Sequence, residues 1–172
     1  MKKLLLLLFL IPLISCTEDW TGEKEVTVLQ DRNGIKYEVN SDVGFTGKYV
    51  EYFENGQKRI EEHLKLGKRN GLKTDWYENG QKKSEHNIKD GEIEGLTTEW
   101  HENGQKRSEA SWKNGKQDGV VTEWHKKGQK RFEGNWVDGK VDGVVTFWDK
   151  EGDVTKTDTY KDGNLVKSYS YS

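Results

Sequence analysis

Four lysines recur at one spacing, Lys58, Lys82, Lys106 and Lys130, and an aromatic column keeps step with them in Tyr52, Trp76, Trp100, Trp124 and Trp148. Cations beside aromatic rings can hold an anionic polymer, glycan phosphates or lipid headgroups. The same pattern also arises when lysine stems cover the rings and keep their ammonium groups in water. A second cationic column, Arg59, Lys83, Arg107 and Arg131, runs beside Glu61, Glu85, Glu109 and Glu133 and reads as a self-neutralised surface ladder. His101, His125 and Asp149 occupy equivalent places in successive units. Such places lie two strands apart, about 9–10 Å by strand spacing, whereas ligands of one zinc ion stand about 2 Å from it. The pairs Asp90-Gly91, Asp118-Gly119, Asp138-Gly139, Asp142-Gly143 and Asp162-Gly163 lack the spacing of a calcium loop and read as turns. The serines form no nucleophile elbow, and no glycine loop leads into a helix to cradle phosphate. No catalytic residue, metal or cofactor is expected, and the chain is expected not to be an enzyme.

The elements that position these residues follow from the period. Gly47, Gly71, Gly95, Gly119 and Gly143 are 24 residues apart, and so are Gly56, Gly80, Gly104, Gly128 and Gly152. Gly67, Gly91, Gly115, Gly139 and Gly163 make a third set with the same step. Each unit must then be one supersecondary element stacked on its neighbours. Taking 71–94 as the type, 72–77 and 82–89 read as strands, with Glu78-Asn79-Gly80 between them. A two-residue turn at Asn79-Gly80 would set Asp75 opposite Ser84. A three-residue loop with Gly80 left-handed would set Asp75 opposite Lys83 and Lys73 opposite Glu85, and it pairs Glu51 with Arg59, Glu99 with Arg107 and Glu123 with Arg131. Opposite charges favour the three-residue loop. In that register Leu72, Thr74, Trp76, Lys82, Ser84, His86 and Ile88 share one face, so the Trp76 column and a second column, Leu64, Ile88, Trp112, Trp136 and Tyr160, are expected on the same side.

The ends differ from the middle. Lys2 and Lys3 precede the run 4–14, whose 11 residues fall short of the roughly 20 that a spanning helix needs. Leu13-Ile14-Ser15-Cys16 closes it and resembles a bacterial lipobox, with the chain's single cysteine where lipid would be attached. Residues 1–15 are therefore expected to be a lipoprotein signal peptide, with Cys16 lipidated and 16–26 a polar tether. Multiple acyl chains exceed the two signals that stable membrane attachment requires. Residues 27–46 read as a degenerate leading hairpin, and 47–172 as five repeats with a C-terminal cap. Charged residues make up 34% and hydrophobic residues 31% of the chain, with a formal net charge of −2. That composition leaves no thick two-layer core and no footprint for nucleic acid.

The stretch 114–124, Asn-Gly-Lys-Gln-Asp-Gly-Val-Val-Thr-Glu-Trp, resembles the MORN-repeat variant family, as does Trp76-Tyr77-Glu78-Asn79-Gly80-Gln81-Lys82 with its copy at 100–106. Phe45-Thr46-Gly47 is similar to the start of the first full repeat in these proteins, and the resemblance runs from about Asp31 to Gly163. It implies an all-β fold, an elongated, twisted antiparallel sheet of stacked β-hairpins. It also implies binding rather than catalysis, since the family motif contains no catalytic residue. Bacterial members often carry the label of an antitoxin, and MORN repeats elsewhere are discussed as lipid-binding or protein-scaffolding modules. The function expected is a membrane-anchored, non-catalytic protein-interaction scaffold in the cell envelope, at the outer membrane where the cell has two, with another envelope protein as partner. The alternatives are an anionic glycan or phospholipid held by Lys58, Lys82, Lys106, Lys130, Trp76, Trp100 and Trp124, or an antitoxin role.

Overall fold

The computed structural model describes residues 17–18 and 23–171. The signal segment 1–15, Cys16 and residues 19–22 of the tether lie outside the described residues. The chain forms β1 (Thr17–Glu18), β2 (Lys24–Val26), β3 (Gln30–Arg32), β4 (Ile35–Tyr37), β5 (Gly47–Tyr52), β6 (Lys58–Lys65), β7 (Lys68–Trp76), β8 (Lys82–Lys89) and β9 (Glu92–Ile93). It continues as β10 (Gly95–Trp100), β11 (Lys106–Lys113), β12 (Lys116–Trp124), β13 (Lys130–Val137), β14 (Lys140–Val141), β15 (Gly143–Trp148), β16 (Val154–Lys161) and β17 (Asn164–Ser170). All but β3 and β4 belong to one sheet, antiparallel except where β2 runs parallel to β5. Five successive hairpins, β5–β6, β7–β8, β10–β11, β12–β13 and β15–β16, carry the 24-residue unit.

The loop within each hairpin has three residues. Tyr77 N–H donates to Gln81 O at 2.9 Å and Gly80 N–H to Tyr77 O at 2.9 Å, with Gly80 at φ 82°. The register beyond the loop corrects the sequence expectation. Trp76 pairs with Lys82, but the next pair is Asp75 with Ser84, so Lys83 is an extra residue on a β-bulge. The same slip follows Tyr52, Trp100, Trp124 and Trp148. Glu85 consequently faces Thr74 rather than Lys73, and Lys73 faces His86. Because direct partners share a face and residues alternate along a strand, the two aromatic columns fall on opposite sides. Trp76, Thr74 and Glu85 are on one side, called here the tryptophan face. Ile88, Trp112, Trp136 and Tyr160 are on the other, where Trp112 Nε1–H donates to Thr97 Oγ1 at 3.0 Å.

Burial is therefore shared between the two sides along the middle of the sheet. Val50, with no exposed surface, starts a column continued by buried Thr74, Thr98 and Thr122 beneath the tryptophans. On the opposite face the buried positions include Glu62, Ala110 and Asp158 in one column and Thr97, Val121 and Val145 in the next. Asp158 accepts from Ser168 Oγ at 2.6 Å and Lys156 Nζ at 2.7 Å, which ties β17 to β16. His86 occupies the Ala110 column. Burial, with the Lys73 ammonium adding to it, pushes the His86 imidazole below its ordinary value of 6.5. The unfolded chain then binds that proton more readily, so stability is full above about pH 6.5 and falls as pH drops toward the folded value. Denaturant midpoints measured between pH 8 and pH 5 are expected to decline through this window, and His86→Ala, which matches Ala110, is expected to flatten that decline.

The hairpins are joined by two-residue turns in which both residues have positive φ, as at Asp90 (52°) and Gly91 (88°), the type I′ geometry that matches strand twist. At the N-terminal end the repeat gives way to a local cluster. Val26, Phe45 and Leu64 are buried together, with Leu29 and Tyr49 packed against them. Lys24–Val26, read from sequence as the end of the tether, is β2 and covers the edge of β5. Within 27–46, β3 and β4 form a separate two-stranded hairpin that is fixed by Lys36 N–H to Gly67 O at 2.9 Å.

Candidate functional site

The tryptophan face carries a regular ladder. Lys58, Lys82, Lys106 and Lys130 each place Nζ 5.6–5.8 Å from the ring centroid of the next unit's Trp76, Trp100, Trp124 and Trp148. Each ammonium also meets the carboxylate three residues on, Lys58 with Glu61 at 2.5 Å, Lys130 with Glu133 at 2.6 Å, and likewise Lys82 with Glu85 and Lys106 with Glu109. The bulge creates this contact by bringing Glu85 and its equivalents to the lysine side. The Lys130 hydrogen bond, with a further one from Thr122, holds the Glu133 carboxyl below the usual carboxylate range. The ladder is thus a row of ammoniums each shared between a ring and a carboxylate. Exposed ion pairs contribute about 0–1 kcal/mol and exposed cation–π contacts about 0.5–1 kcal/mol. Lys106→Ala is expected to cost about 1 kcal/mol in urea denaturation, with the fold retained.

The arginine column sits on the bulge and reaches the opposite face. Arg131 Nη1 meets Glu123 at 2.6 Å, Arg107 meets Glu99 at 3.5 Å, and Arg59 pairs with Glu51. The three charge pairs read from sequence therefore exist, although the register they were used to select does not. Asp75 instead binds Lys73 Nζ at 2.5 Å and Ser84 Oγ at 2.8 Å. The histidine column has a backbone role. His101 Nε2–H donates to Trp124 O at 3.0 Å and His125 Nε2–H to Trp148 O at 3.2 Å, just as Tyr77 Oη–H donates to Trp100 O at 2.9 Å. Histidine takes the place of Tyr77 in the next two repeats because each offers a donor at the same reach. Asp149, next in the column, accepts from the backbone N–H groups of Glu151, Gly152 and Asp153 within 3.0 Å.

The hairpin loops are laced together by asparagine. Asn55 Nδ2 donates to Glu78 O at 2.9 Å, Asn79 to Glu102 O at 2.9 Å and Asn103 to Lys126 O at 2.8 Å. The next copy breaks the pattern, with Lys126-Lys127 where earlier loops have Glu-Asn. Here a cavity of about 430 Å³ opens at the loop edge, lined by Arg107, Glu123, Trp124, His125, Lys126, Lys127, Arg131 and Lys150 among others. Lys126, Lys127 and Lys150 have no carboxylate partner among the described residues. Beside it lies an apolar hollow of about 210 Å³ lined by Phe132, Trp136, Val141, Val145, Phe147 and Tyr160. None of these lysines or phenylalanines is singled out by reading the repeat as regular. The signal that finds them is departure from the period: Phe132 stands where Ser84 and Ser108 stand, and Phe147 where Glu99 and Glu123 stand.

Three consecutive stretches, residues 45–65, 69–90 and 93–114, match the model described as the MORN repeat variant. No curated protein matches the chain. The 24-residue spacing carries the same hairpin on through β12–β13 and β15–β16.

Proposed function

We propose that this chain, a member of the MORN repeat variant family, is a lipid-anchored, non-catalytic scaffold that holds another protein of the cell envelope against its sheet. The observation that carries the reading is the repeated sheet itself, in which one hairpin recurs five times along a continuous sheet, the form in which repeat proteins present an extended binding surface. A lipidated Cys16, followed by a short tether, would hold that sheet beside a membrane and leave both faces accessible, at the outer membrane in a cell that has two.

Crosslinking in intact cells followed by pull-down, with the native protein compared against Cys16→Ala, tests this. Specific envelope proteins recovered with the native form and lost with Cys16→Ala are expected. Recovery of anionic glycan or phospholipid alone would move the function to the ladder of Lys58, Lys82, Lys106 and Lys130 with Trp76, Trp100 and Trp124. Recovery of one exported toxin would make the protein an antitoxin.

A further inference from the structure

We infer that the face opposite the tryptophans, in the fourth and fifth repeats, is a docking surface for an extended acidic segment of a partner protein whose carboxylates are followed by bulky apolar side chains. This rests on the scaffold reading and names the chemistry of its partner. Three observations converge on the same place.

The loop edge reverses sign along the array. Its first residues are Glu54, Glu78 and Glu102, then Lys126 and Lys150, with Lys127 replacing the lacing asparagine. The lacing ends there, and the lysines that replace it have no acidic partner among the described residues. The cations come from three successive hairpins, Arg107, then Lys126, Lys127 and Arg131, then Lys150. Loops of neighbouring repeats are two strands apart, so the set spreads over about 19 Å. An extended chain rising about 3.3 Å per residue covers that distance with about six residues. A single oxyanion does not.

The apolar hollow adjoins the cationic cavity directly. Glu123, which holds Arg131, is the register partner of Phe132. The Phe132 ring lies 6.2 Å from Phe147 and 6.1 Å from Trp136, so three aromatic rings floor one depression. Phe147 stands where the other repeats carry Glu51, Asp75, Glu99 and Glu123, and Phe132 where they carry Ile60, Ser84, Ser108 and Lys156, so two phenylalanines meet only beside these lysines. A ligand of charge alone would leave the floor in water, and a purely apolar one would leave the ammoniums without partners. Interfaces place aromatic anchors at their centre and charges at the rim, which is the layout found here.

The test uses the full-length lipidated protein in detergent and a fluorescent heptapeptide of four glutamates followed by Phe-Leu-Phe, with binding read by anisotropy. Two variants restore what earlier repeats carry and so preserve the fold: Lys126→Glu with Lys127→Asn, and Phe132→Ser with Phe147→Glu. The native protein is expected to bind, each variant to bind at least about tenfold more weakly, and only the lysine variant to lose salt sensitivity. Absence of binding to the native protein, or equal binding by native and both variants, overturns the proposal. So does binding of tripolyphosphate or anionic vesicles that depends on the lysines and ignores the phenylalanines, because the surface is then a phosphate site. The cellular pull-down separates the two levels. A partner captured equally by native protein and by a variant combining all four substitutions sinks this inference and leaves the scaffold standing. Capture of no partner by native protein sinks the scaffold itself.

Discussion

Trp100→Ala and Trp112→Ala are each expected to lower stability by about 3 kcal/mol, the lower end for removing a large aromatic, since both side chains are half-buried. The double variant is expected to lose the sum of the two. Both residues belong to the hairpin β10–β11, yet Trp100 covers the buried Thr98 and receives Lys82, while Trp112 bonds Thr97 on the other side. Sites with no shared partner add within about 0.5 kcal/mol. A urea double-mutant cycle checks this. A coupling well above that limit would mean that the two columns pack in one core, and the register with its bulge would be wrong.

Gly119→Val is expected to cost about 3 kcal/mol, from two sources of comparable size. Its φ of 118° is a conformation that side chains with a Cβ rarely adopt. A Cβ there would also stand 3.0 Å from Ser111 Cβ, on the strand it must pack against. Thermal unfolding followed by circular dichroism reads the loss. An unchanged midpoint would show that β12 is free to shift at this point and that the close approach is not required.

The spacing of three glycine sets was enough to read the hairpins, their order and the left-handed Gly80 loop, because turns demand particular backbone angles and glycine meets them. The bulge was not legible. It inserts Lys83 between two pairs, and no property of Lys83 as a residue type separates a bulged lysine from a paired one. The charge pairs that guided the register were ambiguous for a physical reason: the long Arg131 side chain reaches Glu123 from the bulge as readily as from a direct pairing. The one-residue slip moved Glu85 across the sheet, so the lysine row, read either as a ligand site or as stems covering the rings, is shared with carboxylates. Lys126, Lys127, Phe132 and Phe147, the residues of the proposed docking surface, were present in the sequence as exceptions to the repeat. Its continuity appeared only once the register put Phe132 opposite Glu123.

The most direct test of the scaffold claim is photo-crosslinking in living cells from a reactive side chain placed, one at a time, at Leu96 on the tryptophan face, at Lys127 on the loop edge and at Phe132 on the opposite face. A discrete protein adduct of one size is expected, strongest from Lys127 and Phe132. Adducts of lipid or glycan alone, or no adduct from any of the three positions, would contradict it.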